Sequence, residues 1–156
     1  MGEIRVGDRF PTFALPDQNG ETFRSSEALE KGPLVVFFYP KDESPGCTAE
    51  VCSFRDASSE FLAAGAQVVG ISSDDATSHQ RFATKHAVSY PLLSDSGGSL
   101  RRELGVPRSM FGMIDGRVTY VIDSQGIVRH RYDALLRATR HVDEALATVR
   151  SLEPSS

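Results

Sequence analysis

Leu34-Val-Val-Phe-Phe-Tyr39-Pro40-Lys-Asp-Glu-Ser44-Pro45-Gly-Cys47 decides the fold, because it reads as a buried strand leading into the mouth of a helix. Leu34 to Tyr39 is an unbroken apolar run, rich in β-branched and aromatic residues. That is the pattern of a central strand covered on both faces. Pro40 then stops the strand, since proline offers no backbone donor. Ser44-Pro45 pairs an N-cap residue with proline at the first helical position. The helix that begins there is expected to run to Ala64, with Gly65 as its C-terminal stop.

Working outward, Phe13-Ala-Leu and Glu21-Thr-Phe flank Asp17-Gln-Asn-Gly20, the signature of a hairpin near the start. Gln67 to Ser72 reads as the next strand, Asp75 to His86 as the next helix, and Ser99 to Leu104 as a short helix ended by Gly105. Val106 to Gly116 contains Pro107 and two further glycines and is expected to form no regular element. Arg117 to Asp123 and Ile127 to Tyr132 flank Asp123-Ser-Gln-Gly126, a second hairpin signal. An amphipathic helix covers Arg140 to Leu152. Strands alternating with helices, closed by a hairpin and a helix, predict an α/β or α+β sandwich. The expected architecture is thioredoxin-like, with a mixed central sheet flanked by helices and an N-terminal β-hairpin.

The 156 residues suit one domain, taken as 1–152, with a short polar tail at 153–156. Hydrophobic residues make up 40% and charged residues 24%, which excludes a disordered chain. A formal charge of −4 gives no broad basic footprint for nucleic acid or an anionic membrane. The longest apolar stretch, Leu34 to Tyr39, is too short to cross a bilayer, and the N-terminus shows no secretion signal. The chain therefore reads as soluble and cytoplasmic, although a removed organelle transit peptide would leave no trace in it. Two cysteines are too few for a secreted disulfide framework, and in a reducing compartment such a pair points to reactivity or metal binding.

Counting from Pro45, Cys47 falls in the first helical turn, where unpaired N–H groups and the macrodipole favour an anion. Cys47, Val51, Phe54, Ser58 and Phe61 share one helical face, while Cys52 lies on a more polar side near Arg55, Asp56 and Ser59. An intact helix holds the two cysteine Cα atoms roughly 8.7 Å apart. A disulfide tolerates only about 4.4–6.8 Å. Three readings stay open on these grounds alone. The cysteines are inert fillers, or part of a zinc site, or a redox pair that meets when the helix unwinds. The zinc reading is the weakest, because His79, His86, His130 and His141 lack the tight spacing of structural zinc modules.

The flanking residues favour the redox pair. Pro40-Lys-Asp-Glu-Ser44-Pro-Gly-Cys47 matches the Pro-x-x-x-Thr/Ser-x-x-Cys motif, and the wider run Phe38 to Asp56 resembles the peroxiredoxin Q branch, also called bacterioferritin comigratory protein. The resemblance extends through Gly70-Ile-Ser-Ser-Asp-Asp75, Tyr90-Pro-Leu-Leu-Ser-Asp95, Gly105-Val-Pro107, Phe111-Gly112 and Gly116 to Gly126. Ser44 stands where threonine is commoner, and the Gly112-Met-Ile-Asp-Gly116 connection resembles the plant and cyanobacterial subtype.

That resemblance implies a thioredoxin-dependent peroxidase that reduces hydrogen peroxide and organic hydroperoxides. It assigns Cys47 as the peroxidatic and Cys52 as the resolving cysteine, joined in an intramolecular disulfide during turnover. It places Arg117 beside the sulfur, Ser44 against thiolate and peroxide, and Pro40 as a wall of the pocket. It implies no cofactor and no metal, a thioredoxin-like dithiol as partner, and a monomer. Read without the resemblance, Arg117 is an exposed arginine at a strand edge, Ser44 a plain N-cap and Pro40 a strand terminator. Glu50 reads as an ordinary helix-start acid, Asp74-Asp75 as a helix cap, and the four histidines as surface residues. Met110, Phe111 and Met113 read as core cover. Rival functions are a general dithiol–disulfide oxidoreductase, which normally spaces its cysteines as Cys-x-x-Cys, and a redox sensor or chaperone-like binding protein using the same switch.

Overall fold

A computed structural model describes residues 4–42, 45–106, 108–109, 114–115, 117–133 and 140–152. In chain order the elements are β1 (Ala14–Pro16), β2 (Thr22–Arg24), α1 (Ser25–Leu29), β3 (Leu34–Phe38), α2 (Pro45–Asp56) and α3 (Ser58–Ala63). There follow β4 (Gln67–Ser72), α4 (Ala76–Lys85), β5 (Leu92–Ser94), α5 (Ser99–Leu104), β6 (Arg108–Ser109) and β7 (Ile114–Asp115). The chain closes with β8 (Val118–Ile122), β9 (Val128–Asp133) and α6 (Arg140–Ser151).

Five strands form the main sheet in the order β5-β4-β3-β8-β9. The first three run parallel, while β8 lies antiparallel to both β3 and β9. The continuous apolar run is thus the middle strand, and all five of its residues are buried. Burying such side chains contributes about 1.5–3 kcal/mol each, as an upper estimate. The N-terminal hairpin is present as a separate two-stranded sheet of β1 and β2. This is the mixed-sheet, thioredoxin-like sandwich expected from the sequence.

The alternation of side chains along β3 divides the core. Val35, Phe37 and Tyr39 join Cys47, Val51 and Phe54 of α2, Phe61 of α3, Phe82 of α4, and Val142, Ala145 and Leu146 of α6. Leu34, Val36 and Phe38 face the other way, toward Phe10, Leu100, Leu104, Val118, Tyr120 and Ile122. The rings of Phe37 and Phe54 stack 4.3 Å apart and lock α2 onto the sheet. Period two along β8 turns Thr119 and Val121 to the side that carries Cys47, and Arg117, directly before the strand, has the same parity.

Three expectations are corrected. The helix from Pro45 does not continue to Ala64: it breaks at Ala57 (φ −93°, ψ 3°), and α3 starts at Ser58. The break lets α2 lie against α6 while α3 covers β4. Phe54 and Phe61 still meet across it, 5.8 Å between ring centres. Secondly, the segment from Val106 to Gly116 contains a ladder pairing Arg108 with Asp115 and Ser109 with Ile114. Two residues per strand are too few to show a period-two pattern.

Thirdly, the histidines are not surface residues. His79 and His141 are fully buried, and His86 and His130 are half-buried. His79 shares an inward stripe with Phe82 and Ala83, and His141 shares one with Val142, Ala145, Leu146 and Val149. Both hold polar partners there, which is what makes an imidazole tolerable in a core.

Candidate active site

Cys47 is the third residue of α2, with its side chain 1% exposed. Arg117 reaches it from the sheet: Nη2 donates to the Cys47 sulfur at 3.5 Å. The same guanidinium donates through Nη1 to Glu50 Oε1 at 2.6 Å, so one cation bridges a thiol and a carboxylate. Burial alone would lower the Arg117 pKa, but Glu50 and Cys47 outweigh it and hold the group above its ordinary value. Burial pushes the Glu50 carboxyl up to about 8, against the pull of Arg117.

Glu50 is therefore no ordinary helix-start acid. It lies three residues after Cys47 on the inward stripe with Val51 and Phe54, and it is wholly buried. A carboxylate on that stripe requires a partner, and the partner comes from a strand 67 residues away. The position on the apolar face was the available signal. Behind Glu50, His141 Nδ1 stands 3.5 Å from its second oxygen and 2.7 Å from Thr119 Oγ1.

Cys52 is half-buried on the same helix, and both cysteines are free thiols. Tyr90 donates from its hydroxyl to the Val51 carbonyl at 2.7 Å, pinning α2 between the two cysteines. Arg55, three residues beyond Cys52, donates to the His86 carbonyl at 2.7 Å and pairs with Asp56 at 2.8 Å. Pro40 sits half-buried at the exit of β3. Ser44, Pro107, Met110, Phe111 and Met113 lie outside the described residues. Of the expected site residues, the fold brings Cys47 and Arg117 into contact and keeps Cys52 on the same helix in its own setting.

The approach to the site is tied down by a second buried cluster. Asp42 accepts from the Tyr39 hydroxyl at 2.6 Å and the Ser78 hydroxyl at 2.7 Å, and lies 2.8 Å from His79 Nδ1. His79 Nε2 faces the Leu93 carbonyl at 3.0 Å. Burial would raise the Asp42 carboxyl, but His79, Tyr39 and Ser78 outweigh it and hold it below its ordinary value. Asp75 caps α4 by accepting from the Ser78 N–H, as expected. Asp74 does not cap; its Oδ2 accepts from the Asp42 N–H and the Ser72 hydroxyl, both at 2.7 Å.

Asp42, Asp74 and His79 bring ligand-type atoms within 4.8 Å of one another. Hydrogen bonds join them to one another and to their neighbours, so the cluster is a latch holding the loop after β3 to α4.

Comparison with known proteins agrees with this geometry. Residues 6–131 match the AhpC/TSA family. The chloroplastic peroxiredoxin Q of Populus jackii is 46% identical over 97% of this chain and 71% of its own length. The chloroplastic peroxiredoxin Q of Gentiana triflora is 48% identical over 97% of this chain and 69% of its own. Among solved structures, the peroxidoxin BcpB of Mycobacterium tuberculosis superposes with a TM-score of 0.90 at 40% identity, covering 97% of this chain and 100% of that one. Peroxiredoxin Q of Xanthomonas campestris gives a TM-score of 0.83 at 29% identity, over 97% of this chain and 98% of that one. With a buried helix-mouth thiol facing an arginine on a thioredoxin-like sheet, and with these relatives along nearly its whole length, the chain belongs to the peroxiredoxins, thiol peroxidases of the AhpC/TSA family, in their Q branch.

Proposed function

We propose that Cys47 is the peroxidatic cysteine and Cys52 the resolving cysteine of a monomeric, thioredoxin-dependent peroxidase. The observation that supports this most is the Arg117 guanidinium 3.5 Å from the Cys47 sulfur at the start of a helix. Both features stabilise a thiolate, and a guanidinium also offers donors to peroxide oxygens.

In the first step the Cys47 thiolate attacks the distal oxygen of a hydroperoxide. An S–O bond forms, the O–O bond breaks, and the alkoxide leaves and takes a proton to become an alcohol; with hydrogen peroxide the product is water. Sulfur goes from thiol to sulfenic acid. Ser44 orients thiolate and peroxide through its hydroxyl, and Pro40 walls the pocket against water.

In the second step Cys52 attacks the sulfenic sulfur, and the hydroxyl leaves as water. This step requires α2 to unwind, because both cysteines stand in one helix whose geometry separates their Cα atoms by roughly 8.7 Å. Helix ends open at low local free energy, which makes the motion accessible. A thioredoxin-like dithiol then reduces the disulfide by exchange. Both cysteines belong to one chain, so turnover needs no second subunit.

Alkyl hydroperoxides belong among the substrates on this reading. The Xanthomonas campestris bacterioferritin comigratory protein, 29% identical, is described for alkyl peroxide reduction. The test is mass spectrometry after one equivalent of peroxide. The parent should lose two hydrogens as a Cys47–Cys52 disulfide, and Cys52→Ser should instead gain oxygen on Cys47. Full thioredoxin-coupled turnover in Cys52→Ser would remove Cys52 from the resolving role.

A further inference from the structure

The buried interior behind Arg117 holds a polar relay that the peroxidase chemistry above does not use. Glu50 and His141 are both fully buried, and Thr119 is 1% exposed. Arg117 occupies only one Glu50 oxygen, Oε1. The other, Oε2, is buried with no hydrogen-bond partner among the described residues. It looks at His141 Nδ1, 3.5 Å away on α6, a helix packed against α2, β8 and β9. A solvent-excluded carboxylate oxygen with no donor is costly. The neighbouring nitrogen can relieve it in one of two protonation states.

In the first state Glu50 is ionised, Nδ1 carries the proton and points it at Oε2, and the Arg117 charge is neutralised by Glu50. In the second, Glu50 is protonated on Oε2 and donates to the Nδ1 lone pair, with the imidazole proton on Nε2. The Thr119 hydroxyl adapts to either, since it can accept or donate. With neutral imidazole the two states differ by one proton, and so by one unit of charge beside the Cys47 sulfur.

We propose that His141 is a positioning residue for peroxide reduction, holding with Glu50 one proton that decides whether the Arg117 charge is cancelled inside the protein or faces Cys47 uncompensated.

The inference rests on the assignment of Cys47 as the peroxidatic thiol. Its physical basis is charge balance in a site closed to water. A thiolate, an ionised Glu50 and one guanidinium sum to −1, whereas the same site with the extra proton sums to zero. Low local dielectric penalises the unbalanced arrangement. Thiolate formation therefore tightens the pair's hold on its proton, and loss of that proton weakens the thiolate.

Other ionisable groups around the pair have their own settings. Tyr90, from the loop before β5, donates to the Val51 carbonyl, and burial keeps its phenol protonated well beyond the ordinary range. Tyr132 of β9 lies edge-on to His141, 4.7 Å between ring centres. His130 and Glu144 face each other at 3.8 Å, and Arg131 pairs with Asp133 at 3.5 Å. On α2, Cys52 and Arg55 lie on the side away from the inward stripe that carries Glu50. Burial, opposed by Arg117, puts the Glu50 titration at about 8.

The test is the pH profile of the second-order rate of Cys47 with hydrogen peroxide, by stopped flow, for the parent, Glu50→Gln, His141→Phe and His141→Asn. Thermal melts establish that each variant is folded. The parent rate should fall several-fold as pH rises through the Glu50 titration near 8. Glu50→Gln should abolish that fall. His141→Phe deletes the partner of Oε2 in both states and should displace the fall by about one pH unit. His141→Asn, which restores a donor near the Nδ1 position, should bring it back toward the parent value. A fall that persists in Glu50→Gln, or that stays in place in His141→Phe, overturns the proposal.

The carboxyl C=O infrared band of Glu50, identified by its loss in Glu50→Gln, gives a readout independent of peroxidase activity. If Cys47 proves not to be the oxidised residue, the peroxidatic assignment fails. The band still reports whether the proton resides on Glu50 and whether His141 governs it. A band whose titration ignores His141 overturns the proposal alone.

Discussion

Replacing Arg117 with methionine removes a cation that contacts the Cys47 sulfur while keeping an apolar stem in the pocket. At an effective dielectric near 20, a unit charge 3.5 Å from a thiolate is worth roughly 5 kcal/mol. Part of the guanidinium's donor capacity is spent on Glu50 at 2.6 Å, which reduces what reaches the sulfur. Once the arginine is gone, Glu50 loses its counter-ion. Burial already pushes its carboxyl up to about 8, so it holds a proton at neutral pH with or without the arginine. The thiolate therefore meets no new negative charge in the variant. We expect a residual loss of about 1.4–3 kcal/mol in thiolate stabilisation, a ten- to hundred-fold effect.

Alkylation of Cys47 by iodoacetamide, followed by peptide mass spectrometry at neutral pH, should slow by about that factor. Peroxide reduction should slow by about a further hundred-fold, because donors aimed at the developing oxyanion are lost as well. The two assays divide the role of the residue. Equal slowing in both would refute the contact with peroxide oxygens. No slowing in either would refute the placement of Arg117 in the site.

Three further outcomes follow from the same contacts. Asp42→Asn replaces an acceptor held by Tyr39, Ser78 and His79, and should cost about 2–4 kcal/mol, read as a lower denaturant midpoint. Because the folded Asp42 carboxyl titrates below its ordinary value, its stabilisation is present above the unfolded pKa and lost as pH falls through the lower folded one. The variant should therefore show a shallower loss of stability in acid than the parent.

Glu50 has the opposite sign: its folded value near 8 lies above the ordinary 4.5, so the folded state binds the extra proton between them. Stability should fall as pH rises across that window, by at most about 1.4 kcal/mol per unit, and Glu50→Gln should flatten the slope in urea melts. Gly70 in β4 lies against Phe37, where an added Cβ would come within 2.7 Å of the ring. Gly70→Ala should cost about 1–3 kcal/mol, and an unchanged melting temperature would show that the Phe37 ring moves freely.

The sheet and its helices were readable because their apolar residues keep the periods of strand and helix. The run from Leu34 became the central strand, Asp75 became the cap of α4, and Gly105 ended α5 in a left-handed conformation. What escaped the reading were polar residues seated on apolar stripes. Glu50, His79 and His141 occupy inward positions, and what licenses each is a partner distant in the chain: Arg117, Asp42 and Thr119. Periodicity marks which face is buried, but not that a charge there has been matched from another element. The break at Ala57 escaped for a related reason. Phe54 and Phe61 keep helical spacing across it, and the change of direction comes from packing α3 onto β4. Cys47 and Arg117 were accessible only through the family motif, since spacing alone allowed inert cysteines and an exposed arginine.

The sulfur and the cation stand on parts of the molecule with different mechanical character. Arg117 is anchored where β8 enters the sheet interior, whereas Cys47 is borne on the first turn of a helix. On the proposed turnover the sulfur departs toward Cys52 while Arg117 keeps its place on the sheet. A molecule lodged beside the thiol would brace the turn against departure. Competitive inhibitors of such a design would do more than block entry: they would hold the sulfur in its wound turn and slow its pairing with Cys52.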